Sequence, residues 1–226
     1  MSNVEFAWKA IPMTKQLATG KAILVLLAAS VLVACGSGPR AQHYTLSFAP
    51  TASGSPGPAS SQVGVAAPRA SHLLRQDRIV YFTTDNELNF YERHRWADTP
   101  PRLVQSLLIR QLRASNLFDD IVPYSAQKGL DYVLRGRLLS MEEVDTATEI
   151  KARFGLELEL VRQEDAHVVW TGRHDCERPV ATKSVGAVVD TMSGCVQETL
   201  GELTRSLGAV LPEVEAARKA ESKTKP

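Results

Sequence analysis

The chain has 226 residues, 26 Lys+Arg against 25 Asp+Glu, and a net charge of +1, with 44% hydrophobic residues. That length supports one sizeable core. The even charge balance shows no basic stripe of the kind that tracks nucleic acid and no charged block that would serve as an interaction tail.

Ala22 to Ala34 reads AILVLLAASVLVA, thirteen uncharged and mostly apolar residues preceded by Lys9, Lys15 and Lys21. A membrane-spanning helix needs about 20 such residues, so this run matches a signal-peptide core instead. The alternative is a buried core helix. Met1 or Met13 is the true start; the latter leaves a compact leader.

Leu32-Val33-Ala34-Cys35 resembles the bacterial lipobox. That resemblance implies cleavage before Cys35 and lipidation of its sulfur, with palmitate or a similar acyl chain on the new amino group. Several chains anchor stably where one would not. Glycine rather than aspartate at position 36 implies sorting to the outer membrane, on its periplasmic face. The leader is then residues 1–34, and the mature chain has 23 Lys+Arg and 24 Asp+Glu. Residues 35–62 read as a lipidated start and flexible tether, rich in Gly, Ser, Pro and Ala and broken by the strand-like Tyr44 to Phe48.

The folded domain is expected over 63–211. VGVAAP from Val63 reads as a short strand. Asp77 to Thr83 and Glu87 to Arg93 read as a hairpin across Thr84-Asp85-Asn86. Thr99 and Pro100 predict a helix start, with Val104, Leu107, Leu108 and Leu112 on one face and Asn116 as the stop. Phe118 to Val122 suggests an edge strand closed by Pro123. Asp131 to Val144 predicts a strand whose partner, Glu149 to Leu160, alternates apolar and polar residues with period two. A third antiparallel strand runs from Val168 to Cys176. A helical stripe follows from Val185 to Val210, with Pro212 stopping or weakening it, and 212–226 reads as a charged tail.

With Cys35 lipidated, Cys176 and Cys195 remain. In an oxidising compartment such a pair tends to join. The bridge would staple the last helix to the third long strand, worth roughly 3 kcal/mol in the chain-entropy model. Two buried thiols are the alternative.

The lipobox, Tyr44-Thr45-Leu46, the stretch LLRQDRIVYFTTDNELNFYERHRWADTPPRLVQSLLIRQL and DYVLRGRLLSME together resemble the auxiliary lipoproteins of ABC-type lipid transport systems, the PqiC/YmbA-like group. The resemblance runs from Leu46 through Leu211. It implies a single α/β domain with a mixed, largely antiparallel sheet packed by two main helices, similar to the N-terminal domain of TolB. It also implies partners: an MCE-domain periplasmic protein, its ABC permease and ATPase, the membrane through the anchor, and a homo-oligomeric ring. Arg93, Arg95 and Trp96, where a strand meets a helix, are the candidate partner-binding residues; capping the core is the other role open to Trp96.

No catalytic residue, cofactor or metal site is expected. His174 and Cys176 share a strand face, but neither CxxC nor HExxH spacing is present, nor a GxSxG elbow or Walker motif. The function expected is a non-catalytic accessory lipoprotein docking a lipid-transport conduit at the outer membrane. An envelope hydrolase and a purely structural lipoprotein are the alternatives.

Overall fold

The computed structural model describes residues 40–52, 59–84, 86–125, 129–146 and 148–224. The leader, Cys35 and residues 53–58 of the expected tether lie outside them. The fold is that of the unit Ala41–Pro226. Its elements are β1 (Gln42–Tyr44), β2 (Ala59–Val65), β3 (Arg69–Ala70), a 3-10 turn (Leu73–Arg75), β4 (Arg78–Thr84), β5 (Glu87–Trp96), α1 (Pro100–Ser115), β6 (Phe118–Pro123), β7 (Tyr132–Asp145), β8 (Ile150–Arg162), β9 (Val168–Pro179) and α2 (Val185–Thr224). No helix among the described residues is long and apolar enough to cross a membrane.

The nine strands form one mixed sheet with β7 as its spine. Along one edge β7 pairs antiparallel with β8, which pairs antiparallel with β9. Along the other edge three strands share it in succession, all parallel. β2 pairs at Val63↔Tyr132, β3 at Arg69↔Arg137, and β4 at Tyr81↔Glu143. The β4–β5 hairpin, β1 beside the end of β5, and β6 beside β2 complete the sheet.

The period-two pattern of β8 does what it predicts. Ala152, Phe154, Leu156, Leu158 and Leu160 are buried on the helix side. β7 cannot match that phase unaided. The pairing register slips between Leu138 and Ser140, so Leu134 and Leu138 face inward before the slip and Met141 and Glu143 after it. One extra residue in a bulge reverses which parity is buried.

α2 buries Val188, Val189, Met192, Cys195, Val196, Leu200, Leu203, Leu207 and Leu211 against β8 and β9. α1 buries Val104, Leu107, Leu108 and Leu112. Thr99 occupies the N-cap position in extended conformation but its hydroxyl makes no capping bond; Asn116 ends the helix in the left-handed region, at φ 54° and ψ 34°. Asparagine tolerates that conformation better than most residues.

Two expected boundaries move. The fold begins near Gln42 rather than at 63. Leu46 and Phe48 are buried, and residues 47–51 strap across both helices. Ser47 N donates to Ser193 Oγ (3.1 Å), Arg110 donates to the Phe48 carbonyl (3.1 Å), and Thr51 and Gln111 exchange two bonds of 3.0 Å. The alternating Tyr44, Leu46 and Phe48 supply the apolar anchors that the surrounding Gly/Ser/Pro composition masks.

At the other end α2 continues through Pro212 to Thr224 instead of stopping. Proline costs a helix about 3 kcal/mol relative to alanine, but here tertiary contacts on both sides hold the path. Leu211 is buried, Arg218 pairs with Asp131 (2.6 Å) and Glu215 (3.0 Å) and lies over the Tyr132 ring, and Arg162 reaches Glu221 (2.8 Å). Pro212→Ala is therefore expected to raise stability by about 2 kcal/mol, after allowing for the lost stiffening of the unfolded chain. Urea denaturation of the two proteins measures it.

Candidate functional site

The strand-to-helix junction at residues 93–99 is built from three segments. β5 delivers Arg93 to Trp96, β1 lies parallel against its last three residues, and the turn before β4 supplies Asp77. Trp96 N donates to the Asp77 carbonyl (2.7 Å), and Ala97 N to the Tyr44 carbonyl (2.7 Å). Arg95 pairs with Asp77 at 2.9 Å. Asp98 accepts from Thr99 N (2.7 Å) and from Arg102 Nε (2.9 Å). The Arg102 guanidinium and that backbone bond hold the Asp98 carboxyl below the usual carboxylate range.

Of the three residues expected to meet a partner, only Arg93 is exposed. Arg95 is half-buried in its ion pair. Trp96 is 1% exposed and belongs to the core; of its two expected roles, the surface contact is corrected and capping the core is the one its burial fits. β1 lies beside it in the sheet, with Tyr44 opposite Trp96 in the parallel register. The indole Nε1 has no hydrogen-bond partner among the described residues.

Behind this junction runs a polar line that the sequence did not reveal. Tyr44 Oη and His94 Nδ1 lie 2.9 Å apart, the His94 ring stands edge-on to Tyr91 with centroids 5.6 Å apart, and Tyr91 Oη donates to Glu143 Oε2 at 2.8 Å. Glu143 is 2% exposed. Burial pushes its carboxyl up against the lowering effect of the Tyr91 bond, and Asp145 adds to the rise while Lys183 opposes it. Burial first, then Glu143, raises the Tyr91 phenol. Glu143 points inward only because of the β7 bulge, a feature with no sequence signature here.

A carboxyl whose folded pKa is raised contributes most when protonated, and that contribution is lost as pH rises through the raised value. Glu143→Gln keeps an acceptor for Tyr91 without a charge to bury. The variant is therefore expected to gain on the wild type as pH rises from 4 toward 8, measured as the difference between their urea midpoints. Midpoints that stay parallel across that range would contradict the burial of an ionisable carboxyl.

The second cluster lies between β9 and α2. Cys176 and Cys195 are joined by a disulfide, with Cα atoms 5.4 Å apart. His174, two residues before Cys176 on the same face, meets Thr199 Oγ1 at 3.1 Å. Glu198 pairs with Arg178 beside the bridge. His167 stands exposed in the β8–β9 turn. No group of three or more His, Cys, Asp or Glu among the described residues is arranged to hold a metal.

A mixed sheet with two helices on one face, a strap at its start and structural polar clusters defines a compact α/β module. The family model of the ABC-type transport auxiliary lipoprotein component matches residues 44–204, and the chain belongs to that family. It is thus of a lipoprotein class associated with the membranes of the envelope, and an auxiliary component of an ABC transport system. The fold is similar to that of protein XCC0632 from Xanthomonas campestris, of family DUF330, at 20% identity and a TM-score of 0.66 over 80% of this chain and 99% of that one. A second crystal structure, of an uncharacterized protein, is similar at 15% identity and a TM-score of 0.56 over 75% of this chain and 99% of that one. No curated protein matches the chain at a significant level.

Proposed function

We propose that this protein is a non-catalytic accessory lipoprotein, anchored through Cys35 to the periplasmic face of the outer membrane, that docks the conduit of an MCE-type lipid transport system there. Family membership supports the transport role. The observation that carries the docking reading is the position of β1. Because Gln42 already lies in the sheet, only seven residue steps separate it from Cys35, a reach of at most about 25 Å. A long floppy spacer is replaced by a short leash. Such a leash holds the domain near one membrane and raises its effective concentration for a partner that arrives across the periplasm.

Affinity isolation of the full chain from detergent-solubilised membranes is expected to recover an MCE-domain protein with its permease. Cys35→Ser should remove the chain from the outer-membrane fraction. Arg93→Glu, which leaves the core and the Arg95–Asp77 pair intact, should weaken recovery by about tenfold if the junction is the contact. Full recovery with Arg93→Glu would move the contact elsewhere; no transport protein in the eluate would defeat the docking reading itself.

A further inference from the structure

On the face of the sheet away from both helices, a groove of about 720 Å³ opens where β2 and β3 share the edge of β7. Its walls carry three arginines, Arg69, Arg135 and Arg137, and two glutamates, Glu157 and Glu159. Its floor includes the apolar Ala66, Val133 and Val161.

The arginines are arranged in a costly way. Arg69 lies directly opposite Arg137 in the parallel register, so two like charges are cross-strand neighbours, a destabilising pairing. Arg137 is tied to Glu157 by two bonds of 3.1 Å and Arg135 to Glu159 by one of 3.0 Å. Arg69 makes no hydrogen bond or ion pair among the described residues. The Arg135 and Arg137 side chains are 50% and 62% exposed where their glutamates, Glu159 and Glu157, are 32% and 20% exposed, so these guanidinium groups are more open to solvent than the carboxylates that hold them. Each guanidinium has five donors, most of them still unused here.

We propose that this groove binds the phosphate of an anionic glycerophospholipid. The phosphate bridges Arg69 and Arg137, which relieves their repulsion, with Arg135 as a third donor. Planar guanidinium groups match phosphate oxygens in pairs. The volume lies in the range of small-molecule pockets and far exceeds one oxyanion, and the apolar floor suits the glycerol and first methylenes of an amphiphile. The lipid assignment deepens the transport reading and rests on it; the oxyanion site stands on its own geometry.

The test is native mass spectrometry of the full chain, released from a non-ionic maltoside detergent in the presence of phosphatidylglycerol, phosphatidylcholine or inorganic phosphate. One phosphatidylglycerol per chain is expected, with phosphatidylcholine and inorganic phosphate weaker by about tenfold or more. Arg69→Gln should weaken phosphatidylglycerol by about tenfold, the loss of one charge-assisted contact, and Arg69→Gln with Arg137→Gln by more. Arg205→Gln, on α2 across the sheet, should change nothing. Equal binding by Arg69→Gln, or an equal loss in Arg205→Gln, overturns the site. Inorganic phosphate binding as tightly as phosphatidylglycerol overturns the lipid assignment and leaves an oxyanion site. None of these outcomes depends on recovering a transport protein, so this proposal and the docking reading fail separately.

Discussion

Replacing Cys176 and Cys195 together by alanine is expected to lower the free energy of unfolding by about 3 kcal/mol. The bridge closes a stretch of 19 residues that contains the end of β9, the connection at 180–184 and the first turns of α2. Without it, that connection samples many more conformations in the unfolded chain, which is the state a cross-link penalises. Both cysteines are buried, at 6% and 0% exposure, so a smaller packing loss adds to the entropic one. For a chain of this size the effect corresponds to roughly 6–12 °C in melting temperature. Reductant should reproduce most of the shift in the wild type and none in the double variant. A wild type whose melt does not respond to reductant, with free thiols detected after export, would show that the bridge is not closed in the native compartment.

The parts of the fold legible in sequence are those whose pattern is local. The alternation of Ile150 to Leu160 and the 3.6-residue stripes of α1 and α2 each sit within one element. Each matches the element observed. The parts not legible are decided by contacts distant in sequence. Nothing in LLSMEEV announces a bulge, yet that bulge alone turns Glu143 inward toward Tyr91. Nothing in Arg69-Ala70 suggests a strand, because its two residues extend only along an edge that β7 provides. Pro212 is a reasonable stop for an isolated helix. It is overruled by Leu211 in the core and by Arg218 and Glu221, whose partners Asp131 and Arg162 lie together at the open end of the β7–β8 hairpin. The candidate site follows the same rule. Arg93 was readable as a surface charge from its own neighbourhood, whereas the groove joins β2, β3, β7 and β8 and has no contiguous motif.

Trp96→Ala is expected to cost about 3–5 kcal/mol, the range for removing a buried large aromatic side chain. The sequence context, Arg-His-Arg-Trp-Ala-Asp, leaves Trp96 open to partner contact or to capping the core, and that is where the two outcomes divide. At 1% exposure the indole has no face to offer a partner. It is held by the backbone bonds that Trp96 and Ala97 send to Asp77 and Tyr44, so its removal leaves a cavity in the core. Trp96→Phe separates packing from hydrogen bonding. Because Nε1 has no partner, phenylalanine forfeits no bond and should cost only roughly 1–2 kcal/mol, from the smaller ring. Trp170 provides the contrast, since its Nε1 donates to Ser206 Oγ at 3.3 Å and its phenylalanine variant loses that bond as well. Urea denaturation followed by far-UV circular dichroism gives each value. If Trp96→Ala instead leaves stability within about 0.5 kcal/mol of wild type, the value usual for surface positions, while abolishing partner recovery, Trp96 is a contact residue after all and the indole is not buried in the working protein.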